Sequence, residues 1–85
     1  TKMASIDKVD ATKFDVYPNP AVNYTTVKFT TGGMEEIKIY DILGNIQISE
    51  KVFSGQKIDV TSLQTGVYII RMEGNTSYSK VLQKK

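Results

Sequence analysis

Few side chains in this sequence have the chemistry to act on a substrate. Histidine, cysteine and tryptophan are all absent from its 85 residues. That removes Ser-His and Cys-His nucleophile pairs, thiolate and imidazole metal sites, and the side chain that ordinarily titrates near neutral pH. Catalysis by Asp, Glu, Lys or Tyr stays open in principle. A chain this short has no room for cleft-forming insertions, so it reads as a non-enzyme with no cofactor and no catalytic residue. Asp41 and Asn45 bracket a tight turn, and such oxygens can ligate calcium. A calcium loop needs more oxygen ligands at regular spacing and an acidic closing residue, so turn chemistry is the better account and no metal site is expected. Glu35 and Glu36 are adjacent, and neighbours in a strand point to opposite faces, which suits a solvated edge better than an acid pair. Tyr17, Tyr24, Tyr40 and Tyr78 would make a sugar-stacking platform only if coplanar, and no pairing register supports that. Tyr68 reads as a buried tyrosine whose hydroxyl ties down a corner. Lys80, Lys84 and Lys85 form a basic end that either protects an edge strand from unwanted pairing or is itself a contact.

The elements that carry these residues are strands. The stretch over residues 63–72 reads Leu-Gln-Thr-Gly-Val-Tyr-Ile-Ile-Arg-Met. A turn-forming Gly66 precedes four β-branched or aromatic residues, which fit a pleated surface. Four apolar residues in a row predict a central strand covered on both faces. Other strands are predicted at residues 13–17, with Phe14 and Val16 inward, and 24–30, with Thr25, Val27 and Phe29 inward. Residues 35–41 follow with Ile37 and Ile39 inward. Residues 46–53 return with Ile46 and Ile48 inward and a bulge within 49–53. A short strand at 57–60 shows Ile58 and Val60, and residues 76–83 form the last.

Turns separate them. Tyr17-Pro18-Asn19-Pro20 is a rigid, extended corner, because each proline fixes its own φ and restricts the residue before it. Asp41 to Asn45 has the pattern of a type I turn closed by a bulge at Gly44. Ser54-Gly55-Gln56 and Glu73-Gly74-Asn75 are further turns. Residues 61–65 lack a strand signal and are predicted to cross between layers, with Leu63 in the core and room for one helical turn. Seven short strands with turn signals every eight to twelve residues predict an all-β, antiparallel two-sheet sandwich, immunoglobulin- or fibronectin-like. Leu63, Gly66 and Tyr68 resemble the corner of such folds.

Composition narrows the partners. The formal net charge of +2 is too small to argue for nucleic acid. No apolar run approaches the ~20 residues of a membrane helix, so no direct membrane insertion is expected. Without cysteine the fold rests on its core alone. Residues 1–12 read as a linker and residues 13–85 as one domain. The sequence opens without an initiator Met or a signal-peptide pattern, so it reads as a piece from the carboxyl end of a larger precursor.

Three stretches, in this order, resemble a known family. They are Tyr17-Pro18-Asn19-Pro20-Ala21, then Ile39-Tyr40-Asp41-Ile42-Leu43-Gly44-Asn45, then Leu63-Gln64-Thr65-Gly66-Val67-Tyr68-Ile69-Ile70-Arg71 followed by Gly74 and Ser79-Lys80-Val81-Leu82. Together they are similar to the carboxyl-terminal sorting domain, type A class, of type IX secretion cargo in Bacteroidota. The resemblance implies a secretion signal carried as a folded sandwich. Its cargo domain lies amino-terminal to it, passes through the periplasm, and is released or displayed at the cell surface. The implied partners are the outer-membrane type IX machinery and a sortase-like peptidase that cuts within residues 1–13. The recognition region it implies is Gly66, Val67, Tyr68, Ile69, Arg71, Lys80, Val81, Lys84 and Lys85. Pro18, Asn19, Pro20, Asp41, Gly44 and Leu63 are architectural on the same resemblance. A receptor would then add a strand to the free edge of the last strand or grip the closing lysines. The alternative, from another class, is an accessory fibronectin-like or carbohydrate-binding module of a secreted enzyme or adhesin.

Overall fold

Period-two alternation of apolar and polar residues builds both layers of this molecule. The computed structural model describes residues 14–73 and 77–85. These hold β1 (Phe14–Tyr17), β2 (Tyr24–Phe29), β3 (Glu35–Tyr40), β4 (Ile46–Val52), β5 (Gln56–Asp59), β6 (Gly66–Glu73) and β7 (Tyr78–Lys84). One sheet has three strands in the order β1-β2-β5, the other four in the order β4-β3-β6-β7. Every neighbouring pair of strands is antiparallel. The chain changes sheet after β2, after β4 and after β5.

The inner faces meet in a single core. Phe14, Val16, Val27, Phe29 and Ile58 come from the smaller sheet, and Ile37, Ile39, Val52, Tyr68, Ile70, Met72 and Leu82 from the larger. Val60 and Leu63, on the segment that crosses between the sheets, seal the rim. Tyr68 donates its hydroxyl to the carbonyl oxygen of Gln64 at 2.7 Å, which satisfies a polar tip on an otherwise buried ring. The expected burial of Leu63 and the role of Tyr68 in holding a corner are both seen.

Four expectations need correction. First, β6 is central in its sheet but not covered on both faces. Tyr68, Ile70 and Met72 point inward, whereas Val67 is 45% exposed, Ile69 is half-buried and Arg71 exposed. Second, Ile46 is not a core residue. The register steps from Ile39 opposite Ile48 to Tyr40 opposite Ile46, so a bulge at Gln47 reverses the parity of β4 and turns Ile46 outward. Residues 49–52, where irregularity was expected, pair regularly with β3. Third, Gly66 is the first residue of β6, opposite Lys84, not a turn residue; among the described glycines the positive φ values belong to Gly44 and Gly55. Fourth, residues 61–65 cross between sheets as turns and bends without a helical turn. The expected linker and the tip of the β6–β7 hairpin at residues 74–76 lie outside the described residues.

Candidate functional site

Two polar side chains organise the regions that the sequence singled out. Asp41 stands at the head of the β3–β4 turn. Its Oδ1 accepts from the backbone N–H groups of Leu43 and Asn45, both at 2.9 Å. Its Oδ2 accepts from Asn45 Nδ2 and Gln47 Nε2, both at 3.2 Å. The backbone N–H of Gly44 donates to the Asp41 carbonyl at 3.0 Å, and that of Asp41 to the Asn45 carbonyl at 2.9 Å. Gly44 adopts φ +91°, the left-handed conformation that closes such a turn. The backbone N–H of Asn45, foremost, holds the Asp41 carboxyl below its ordinary value, with the Asn45 amide and the Leu43 and Gly44 N–H groups adding to the effect. Every donor here is an N–H of the turn or of the bulge beside it. The carboxylate thus does the turn chemistry expected of it.

Asn19 does comparable work over a much longer reach. Its Nδ2 donates to the carbonyl oxygen of Val81 at 2.8 Å, and its Oδ1 accepts from the backbone N–H of Gln83 at 2.9 Å. Ala21, buried at the end of the same corner, donates its N–H to the Gln83 carbonyl at 2.8 Å. Ala21 also accepts from the N–H of Lys85 at 2.8 Å. The Pro18-Asn19-Pro20-Ala21 corner thus lies along the outer edge of β7 and occupies its donors and acceptors from Val81 to Lys85. The free edge expected there is largely covered, which removes most of the template for an added strand.

The residues expected to form one recognition region are divided by the pleat. Val67, Ile69, Arg71 and Val81 share the outer face of the four-stranded sheet, in direct register at Ile69 and Val81. Tyr68 belongs to the core, and Gly66 is half-buried opposite Lys84. Lys80 and Lys84 stand on the Leu82 side of β7 and are half-buried. Lys80 reaches Asp15 of β1 at 3.9 Å, Lys84 donates to the Lys85 carbonyl at 2.9 Å, and Lys85 is exposed beyond the strand. Arg71 pairs with Glu73 at 3.1 Å, and Tyr40 donates to the same carboxylate at 3.3 Å.

The four tyrosines considered as a platform do not meet. Tyr17 and Tyr24 lie on the three-stranded sheet, the latter beneath Lys57 at 4.4 Å. Tyr40 sits on the outer face of the other sheet, and Tyr78 packs against the core. Sequence reasoning missed Ile42, Leu43 and Ile46 as exposed apolar residues. The signal available was an apolar pair inside a turn, where polar residues are the rule.

Comparison with known proteins fits this arrangement. Residues 15–85 match the model of the family described as the secretion system C-terminal sorting domain. The chain belongs to this family, the sorting signal of type IX secretion. Two similar proteins are an endo-acting ulvan lyase of Formosa agariphila and an ulvan lyase of Nonlabens ulvanivorans. The first is 35% identical over 72 residues, covering 79% of this chain and 14% of the lyase. The second is 31% identical over 83 residues, covering 95% of this chain and 15% of the lyase. The chain therefore spans about one seventh of the length of these curated relatives, and what it shares with them is a sorting domain. No solved structure gives a significant match. A sorting domain is not itself catalytic. It implies a secretion machinery that reads it, a cargo amino-terminal to it, and export to the cell surface or beyond.

Proposed function

We propose that this domain is the folded export signal of a larger secreted protein whose catalytic part precedes it. The family match across 15–85 carries this reading, because it spans both the sandwich and the whole last strand. The two lyases suggest a polysaccharide-degrading cargo. The cargo folds in the periplasm, crosses the outer membrane with the domain attached, and is freed by a sortase-like cut within residues 1–13. Residues 1–12 act as the linker and 13–85 as the domain.

The sandwich is immunoglobulin-like. Support comes from the three-on-four strand order and from the tyrosine at the start of the penultimate strand, whose hydroxyl bonds back to the chain four residues upstream. Both are marks of that architecture. Because Asn19 and Ala21 hold the β7 edge, the machinery reads side chains on a closed surface and does not add a strand there.

A fusion of residues 1–85 to the end of a periplasmic reporter tests the reading in a strain with type IX secretion. The reporter is expected in the medium or on the surface. It should stay in the periplasm when the secretion system is deleted, and equally when residues 79–85 are removed. Surface display of the shortened fusion, or display without the secretion system, overturns the assignment.

A further inference from the structure

The β3–β4 turn places its two most apolar residues at the tip. Ile42 and Leu43 are 77% and 82% exposed, where Gly, Asn, Asp or Ser would ordinarily stand. The Asp41 carboxylate and the Gly44 conformation fix the turn beneath them, so the pair is offered on a rigid base. The bulge at Gln47, itself tied to Asp41 at 3.2 Å, continues the same surface. A regular register would have sent Ile46 toward the core; the bulge re-aims it outward.

Ile46 then faces Tyr40, Tyr40 faces Ile69, and Ile69 faces Val81. One outward apolar residue on each of the four strands makes an unbroken row, with Val67 beside it on β6. A shallow depression of about 380 Å³ runs from the tip across this row, lined by Ile42 at one end, Tyr40 and Ile69 in the row, and Arg71 and Ser79 beyond it.

The size of this surface selects its occupant. Tip and row together expose on the order of 500 Å² of apolar area, the upper end of what a monomer shows and a mark of interaction sites. A lasting dimer asks for about 800 Å² from each partner, so a second copy of this chain would be held weakly. A partner that must bind and later let go suits the area better. Charge adds a second requirement. The next row outward sets Lys38 directly opposite Arg71, an unfavourable like-charge pair. Glu73 answers Arg71, while Lys38 has no ion-pair partner among the described residues.

We propose that this face, led by Ile42 and Leu43, is the docking surface for the receptor of the secretion machinery. The receptor chemistry it fits is an apolar cleft that takes the turn tip, edged by a carboxylate facing Lys38. The proposal rests on the sorting-signal reading and places the contact on side chains away from the β7 edge. An aliphatic anchor seated in a partner's pocket is one form of the central cluster that such an interface is built around.

The test uses the reporter fusion with the whole chain. Ile42→Ser combined with Leu43→Ser is expected to cut surface display at least tenfold, with the reporter held in the periplasm and the thermal midpoint of the purified domain unchanged. Exchanging the two residues, Ile42→Leu with Leu43→Ile, keeps display. Phe53→Ser removes an equally apolar residue, 57% exposed, outside the row and keeps display as well. Wild-type display from a folded serine pair overturns the proposal. Should the serine pair lower the midpoint, Ile46→Ser decides in its place: display reduced about threefold in a folded domain supports the row, and unchanged display refutes it. A concentration-stable dimer of the wild-type domain that the serine pair dissolves would refute the receptor and assign the face to a second copy. If the unaltered fusion is not exported at all, the sorting-signal reading fails, and that result is distinct from every variant outcome.

Discussion

Asp41 and Asn19 perform the same operation at opposite ranges. Each uses one short polar side chain to occupy backbone groups that the strand ladders leave open. Asp41 bonds to residues no more than six positions away, while the partners of Asn19 lie 62 and 64 positions away. The first shapes a turn. The second joins the beginning of the domain to its last strand, so its loss is felt by the whole sandwich. Equivalent chemistry thus yields a local device in one region and a global one in the other.

Asn19→Ala should show the larger effect. Two hydrogen bonds across a long loop are lost, at about 1–2 kcal/mol in total, or a midpoint roughly 5–10 °C lower for a domain of this size. Amide exchange at Gln83 should accelerate most. A midpoint unchanged within a degree or two would mean that Ala21 alone holds the edge, and the contrast between the two regions would dissolve.

Two glycines sharpen the comparison at the next level. Gly44→Ala meets no atom but must adopt φ +91°, a backbone penalty of about 1 kcal/mol. Gly66→Ala places its Cβ at 4.0 Å from Tyr68 with no left-handed requirement, so denaturant unfolding should change by no more than about 0.5 kcal/mol. An equal loss at both positions would contradict the assignment of Gly66 as an ordinary strand residue.

The smallest effect belongs to acid titration of the turn. The Asp41 carboxyl is depressed in the fold, chiefly by the Asn45 N–H, below its ordinary value of 3.8. A depressed carboxyl contributes stability above that ordinary value and loses it as pH falls through the folded one. Asp59, held down by the Thr61 hydroxyl and N–H, follows the same sign. A plot of thermal midpoint against pH should therefore fall in the acid range, and Asp41→Asn should flatten part of the fall. A slope left intact by that substitution would remove Asp41 from the account.

How far the sequence was legible follows from the same distinction of range. Strand positions emerge from alternation, and the Asp41 turn from five adjacent residues, because in both cases cause and effect lie within one window. The bulge at Gln47 was invisible locally: one extra residue turns Ile46 outward while Ile48 keeps its inward face, and only the partner strand reveals the step. β6 misled for a different reason. Val67 and Ile69 belong to an outward-facing apolar row, and such a row reads in sequence like a strand buried twice. The resemblance marked Asn19 as architectural, but nothing around it in the sequence points to Val81 or Gln83 as its partners.

The union of Asn19 and Ala21 with residues 81–85 also makes the two extremities of the sandwich answerable to each other. A polypeptide lacking those last residues would leave the proline corner with nothing to grasp, and a damaged corner would release the last strand. Wholeness at either extremity is thereby registered at one seam. A copy without residues 81–85 would differ from one that has them in shape as well as in length.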